Sequence, residues 1–261
     1  MFSVVQTETT NYCNAHCLFC VHDRIKPLQH MAEPLYRKIV EDAAQYPLEG
    51  FTAMMNGEPF MDPDIMPRLR FARQTLQKQT ILRIFTNASI ITKEQIDELA
   101  GMGNVLLSVS LNGSTAEIRQ TMMGLDDFNA VKDKIDYIHQ KGILQQVSTV
   151  WFPNLSIDEI NALAQFPKAC VFVMNNWAGE LYPYRRIKPT NCTRISGIVG
   201  VLADGRVPLC CFDPFCKVLW GNMNTMTLQE IWDGAEHQKY LRYHNEKRGQ
   251  ELPLCRNCTQ G

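Results

Sequence analysis

Three cysteines near the amino end stand in a CxxxCxxC spacing, Cys13-Asn-Ala-His-Cys17-Leu-Phe19-Cys20. Four thiolates close a tetrahedral zinc site or fill a cubic iron–sulfur cluster. Three leave one metal corner without a protein ligand, so something other than protein can bind there. The competing reading is a zinc-binding interaction module whose fourth ligand is His16 or His22. Further cysteines lie at 170, 192, 210, 211, 216, 255 and 258, with none between 21 and 169. Clustered cysteines in an unsecreted chain bind metal or do chemistry more often than they pair. Two groups so far apart point to two metal sites.

Regular elements must hold these groups in place. Val4 to Thr10 reads as a strand feeding the first cysteine loop, and Glu33 to Tyr46 as a helix with Pro34 in its first turn. Further strands read at Phe51 to Met55, Thr80 to Phe85, Asn104 to Ser110, Gln145 to Phe152 and Ala169 to Met174. Helical stretches separate them, several opened by capping boxes: Thr92 with Gln95, Ser114 with Glu117, Ser156 with Glu159. This alternation predicts a parallel α/β sheet, and six units make an open, partial (β/α)6 TIM-like barrel rather than a closed one. Ligands of such folds gather at the carboxyl ends of the strands. Those ends read Cys13 to Cys20, Gly57-Glu58-Pro59, Thr86-Asn87 and Ser110-Leu-Asn112-Gly113.

After about residue 176 the pattern changes. A proline-punctuated connector, Tyr182-Pro-Tyr184-Arg-Arg186, precedes two strands, Ile195 to Leu202 and Val207 to Phe212, read as a hairpin turning at Asp204-Gly205. Thr227 with Glu230 caps a helix running to about Asn245, and the chain closes on Cys255-Arg-Asn-Cys258. Residues 1–176 and 177–261 are read as two domains.

The formal net charge is −1 across 261 residues, with 45% hydrophobic and 20% charged residues. No basic stripe argues for nucleic acid. No apolar run approaches the ~18 residues of a membrane span. Met1 to Glu8 is not a signal peptide, so a cytoplasmic location is expected.

The cysteine triplet, with an aromatic residue directly before its third member, resembles the signature of the radical S-adenosylmethionine (radical SAM) enzymes. The resemblance implies a [4Fe–4S] cluster on Cys13, Cys17 and Cys20, with SAM on the fourth iron and Phe19 packed near the adenine. It also implies SAM contacts from Gly57, Glu58, Pro59, Asn87 and Ser110, and a carboxylate partner in Arg119. The C-terminal part resembles the SPASM/twitch extension of that family. This implies a small domain of hairpin plus helix, with a second [4Fe–4S] cluster on Cys192, Cys210, Cys255 and Cys258.

Within the family the chain is most similar to the 2-deoxy-scyllo-inosamine dehydrogenase type. That type places an arginine after the sixth strand, where this chain has Asn175-Asn176-Trp177. The expected activity is a two-electron oxidation of a small sugar, cyclitol or amino-acid-like molecule. The second cluster takes the electron, and a reduced flavodoxin or ferredoxin-like donor supplies the first. The strand beginning almost at Met1 leaves no room for a peptide-recognition domain before it, which favours a small substrate. The alternatives are an epimerase with a cysteine thiol as hydrogen donor and a peptide-modifying maturase. Cys216, Tyr182, Tyr184 and Arg186 are candidate catalytic or substrate-contacting residues, and Cys170 is expected in the core. Cys211 is expected to face away from Cys210, and His16 to be structural.

Overall fold

The structure is a computed structural model and describes residues 1–151, 156–183 and 192–260. Six strands follow one another across a parallel sheet: β1 (Val4–Thr7), β2 (Gly50–Thr52), β3 (Ile81–Thr86), β4 (Val105–Ser110), β5 (Leu144–Trp151) and β6 (Ala169–Val173). They lie in chain order, each hydrogen-bonded to the next. The expected barrel units are therefore present and unclosed.

Helices on the outer face explain the sheet's apolar strands. The first, α1 (Glu33–Ala43), carries Pro34 in its first turn, where a missing N–H costs little. It buries Leu35, Tyr36, Ile39, Val40 and Ala43, one stripe of a 3.6-residue period. Four more follow: α2 (Ile65–Thr75), α3 (Lys93–Met102), α4 (Ala116–Met123) and α5 (Phe128–Gln140), before the short α6 (Ile157–Asn161). The Thr92–Gln95 and Ser156–Glu159 capping boxes form as read. The cap of α4 is Thr115, not Ser114, because the Thr115 hydroxyl accepts from Ile118 N.

The C-terminal segment has the expected antiparallel strand pair and helix, but its strands pair differently from the reading. After α7 (Thr193–Gly197), β7 (Ile198–Val201) joins the main sheet parallel to β1. The chain does turn at Asp204-Gly205, with Gly205 at φ 90°. The next strand, β8 (Arg206–Pro208), then pairs antiparallel with β9 (Leu219–Asn222). The apolar Ile198-Val-Gly-Val201 buries Val199 and Val201 in the main core by extending the sheet as an edge strand beside β1, cover that a two-stranded ribbon does not offer. The helix read to Asn245 is two, α8 (Leu228–Trp232) and α9 (Ala235–Asn245), parted at Gly234. A side chain on Gly234 would meet Ile231 O at 3.0 Å.

One apolar core runs through both parts, from Val5, Phe51 and Ile84 to Val199, Trp220 and Ile231. Segments before and after residue 177 thus share a sheet and a core. Cys170 is half-buried on an exposed edge strand rather than in that core, because nothing described covers β6. Among the described residues no helix is long and apolar enough to cross a membrane.

Candidate functional site

Local chemistry builds the first site at the carboxyl ends of β1 to β5. The cysteine loop is held from three sides. His16 N and Leu18 N donate to Met123 O and Met122 O at the end of α4. Asn87 Nδ2 donates to Asn14 Oδ1 at 2.8 Å. Gly57 presses its backbone against the loop so closely that a Cβ there would lie 2.5 Å from Thr10 O and 2.7 Å from Tyr12 O. Only glycine permits that approach.

Cys13, Cys17, Cys20, Phe19, Gly57, Glu58, Asn87 and Ser110 all line one cavity of about 220 Å³. Burial pushes the Cys13 thiol up to about 11, and the Cys17 and Cys20 thiols up as well. Buried thiols of this kind surrender their protons to a metal rather than to water. No three Cys, His, Asp or Glu among the described residues close on a single point as ligands of one ion would. Separate corners of a cluster, one cysteine each, ask for that wider placing.

Glu58 sits at the floor. Its Oε1 accepts from Thr86 Oγ1 at 2.6 Å and its Oε2 from Asn87 N at 2.7 Å. Burial raises its carboxyl to about 7 against these hydrogen bonds. Phe60 N also donates to Oε1, at 3.3 Å, and the carboxylate keeps acceptor capacity beyond these three bonds, which suits a cationic ligand group in the cavity. Glu8, behind it, is likewise raised by burial to about 7, and accepts from Asn56 Nδ2 and Ala203 N.

Two expected SAM contacts are not at the cavity surface. Pro59 is buried in a turn behind Glu58. Arg119 is fully buried, its guanidinium donating to Asp127, Leu111 O and Asn87 O. Its placing braces the loops after β3 and β4. His22 Nε2 is taken by Asn11 O, and His16 pairs with Asp23 at the surface, so neither lines the cavity.

The second site forms where α7, the turn after β8, α9 and the last residues meet. Cys192, Cys210, Cys255 and Cys258 line a second, largely apolar cavity with Arg194 and His244. His244 Nε2 lies 3.4 Å from Cys255 Sγ. Cys211 is not on that wall; its thiol meets the Arg194 side chain. Cys216, at φ 51°, lines neither cavity, its Sγ lying 3.9 Å from Val218 O. Tyr182 Oη donates to Met174 O and also stands off the cavities. Tyr184 and Arg186 lie outside the described residues.

Between the two sites lies a contact that sequence reasoning missed. Trp177 Nε1 donates to Phe19 O at 2.9 Å, inside the first cysteine loop. The same indole packs edge-on against Phe212, two residues after Cys210, with ring centres 5.8 Å apart. Asn176, fully buried, donates to Asn257 O between the last two cysteines and accepts from Thr259 N. Trp177 and Ala178 adopt left-handed φ of 51° and 53°, a strained turn held by these contacts. The sequence signal was the departure at Asn175-Asn176-Trp177, whose partners are remote in the chain.

Comparison with known proteins agrees with this geometry. The radical SAM superfamily profile matches residues 7–166, and the iron–sulfur cluster-binding SPASM profile matches residues 192–259. An uncharacterized protein of Methanocaldococcus jannaschii is 25% identical over 69% of this chain, which spans 56% of that relative's length. The S-adenosyl-L-methionine-dependent 2-deoxy-scyllo-inosamine dehydrogenase of Niallia circulans is 20% identical over 99% of this chain and 93% of its own. Among solved structures, BtrN in complex with AdoMet and 2-DOIA matches with TM-score 0.68 and 16% identity, covering 100% of this chain and 94% of that one. Streptococcus suis SuiB bound to its precursor peptide SuiA matches with TM-score 0.73 and 13% identity, covering 98% and 71%. The chain belongs to the radical SAM superfamily, with S-adenosylmethionine and a [4Fe–4S] cluster as its cofactors and a second iron–sulfur site in its SPASM domain.

Proposed function

We propose that this enzyme oxidises a small polar molecule, a sugar, cyclitol or amino-acid-like compound, by two electrons. The observation that carries the reading is the Phe19–Trp177–Phe212 contact, which joins the two cysteine sites through one side chain. In this reading Cys13, Cys17 and Cys20 hold the first cluster, and Cys192, Cys210, Cys255 and Cys258 the second. When bound, SAM and its cluster supply a radical that takes a hydrogen atom from a substrate C–H, and the second cluster supplies a place for the electron left behind.

The chain's own residues set the conditions. Glu58, Asn87 and Ser110 offer acceptors and donors along the cavity wall, and Phe19 offers an aromatic face. Arg119 holds the strand-end loops in register without touching a ligand. Trp177 closes the cavity on the side of the second site. Its indole presents an apolar face where the similar dehydrogenase type carries an arginine, so the substrate differs from that enzyme's at this point.

A peptide substrate is the second reading, favoured by the edge of β6 beside Asn175, with which no other strand among the described residues pairs. Val171, Phe172 and Val173 there are 40%, 48% and 70% exposed, and an extended peptide can add to such an edge. The test is anaerobic incubation with SAM and a reductant, scoring 5′-deoxyadenosine and product mass. Small polyols that stimulate its release and emerge two hydrogens lighter support oxidation. An unchanged mass with deuterium taken up from solvent would replace it with epimerisation.

A further inference from the structure

We propose that Arg194 raises the reduction potential of the second iron–sulfur site above that of the first, which makes it the electron sink; this rests on the two-cluster reading above. Arg194 is the second residue of α7, two positions after Cys192. Its side chain lines the same cavity as Cys192, Cys210, Cys255 and Cys258. Its guanidinium carbon lies 4.5 Å from the centre of the Phe212 ring, which lines that wall too. From there the charge shares one cavity wall with Cys192 and Cys210. Among the described residues no carboxylate forms an ion pair with it.

The first site is the reverse. The buried Arg119 guanidinium, which braces the strand-end loops there, is paired with Asp127. A carboxylate stands on its cavity wall instead, Glu58 alongside Cys13, Cys17 and Cys20. Reduction adds a negative charge to a cluster already surrounded by thiolates. An unneutralised cation in a poorly solvated wall stabilises the reduced form, and carboxylates destabilise it. The two sites therefore differ in the direction an electron is drawn.

A substrate carbon bearing a hydroxyl gives one hydrogen atom to the deoxyadenosyl group. It then loses one electron to the second cluster and one proton to solvent, leaving a carbonyl. The first cluster supplies the single electron that splits SAM.

Potentiometric titration followed by EPR tests the assignment. In protein carrying Cys13→Ala, Cys17→Ala and Cys20→Ala, only the second cluster remains. Adding Arg194→Met there shifts its midpoint downward, and Arg194→Lys keeps it near the parent. In Cys255→Ala/Cys258→Ala protein the first cluster has the lower midpoint, and Arg194→Met leaves it unmoved. A fully iron-loaded Arg194→Met protein titrating with its parent overturns the inference, as does a first cluster that is easier to reduce than the second. If Arg194→Met holds no iron, Arg194→Gln decides, since it keeps a donor and removes the charge: an unshifted midpoint overturns the proposal. Absence of iron from the triple-cysteine variant itself would instead overturn the two-cluster reading.

Discussion

The two cysteine sites are built on opposite plans. The first has three thiols around a cavity of about 220 Å³ at the mouth of a parallel sheet, with Glu58, Asn87 and Ser110 on its wall. The second has four thiols among Ile195, Leu209 and Leu254, tucked between elements that close the chain. A site lacking one protein ligand, with room and hydrogen-bonding walls, is made to bind a cofactor. On the proposed assignment the second site has four thiols and largely apolar walls, which suit a cluster that exchanges electrons. The same residue type thus serves two purposes, and the surroundings decide which.

Ligand removal should separate the plans most sharply. Cys17→Ala is expected to abolish 5′-deoxyadenosine formation, while Cys258→Ala still splits SAM. Iron analysis and chromatography of anaerobic reactions check both, and equal losses in the two variants would erase the distinction. Next is the bridge between them. Trp177→Ala opens a gap between Phe19 and Phe212, and substrate oxidation is expected to fall about 100-fold. Trp177→Phe keeps the packing and loses the Phe19 hydrogen bond, a loss of about 1 kcal/mol or roughly fivefold. Initial rates at saturating SAM measure the split.

Gly57→Ala probes the first site alone. Its methyl group meets backbone of the cysteine loop at 2.5 Å, so overpacking should cost about 1–3 kcal/mol and weaken SAM binding. Equilibrium dialysis and denaturant melts follow the two effects.

A subtler effect concerns Glu8. Its folded carboxyl titrates near 7 and its ordinary value is 4.5. Below 4.5 it is neutral in both states and costs nothing. Between 4.5 and 7 the unfolded chain binds fewer protons, so stability falls as pH rises. Glu8→Gln removes that loss, on the order of 3 kcal/mol above pH 7. Denaturation at pH 5 and pH 8 should show the variant gaining on the parent only at the higher pH.

Much of this was legible in the chain, and the reason is range. Cys13, Cys17 and Cys20 lie within eight residues, and Glu58, Asn87 and Ser110 sit at strand ends that periodicity locates. Those three line the cavity with the cysteines. What failed depended on distant partners. Ile198–Val201 reads the same in a hairpin or beside β1, whose residues are nearly two hundred positions away. Arg119 reads as a ligand-pairing cation until Asp127 and the carbonyls of Asn87 and Leu111 are seen around it. Trp177, Arg194 and His244 carry no motif. Their roles come from what lies across from them.

In the proposed function the second site receives the electron that the first site's chemistry leaves on substrate. Anaerobic turnover by Cys255→Ala, with SAM, reductant and a substrate that stimulates the parent, tests this most directly. The expected result is continued 5′-deoxyadenosine release with no product two hydrogens lighter. Oxidised product at the parent's yield from that variant would contradict the account.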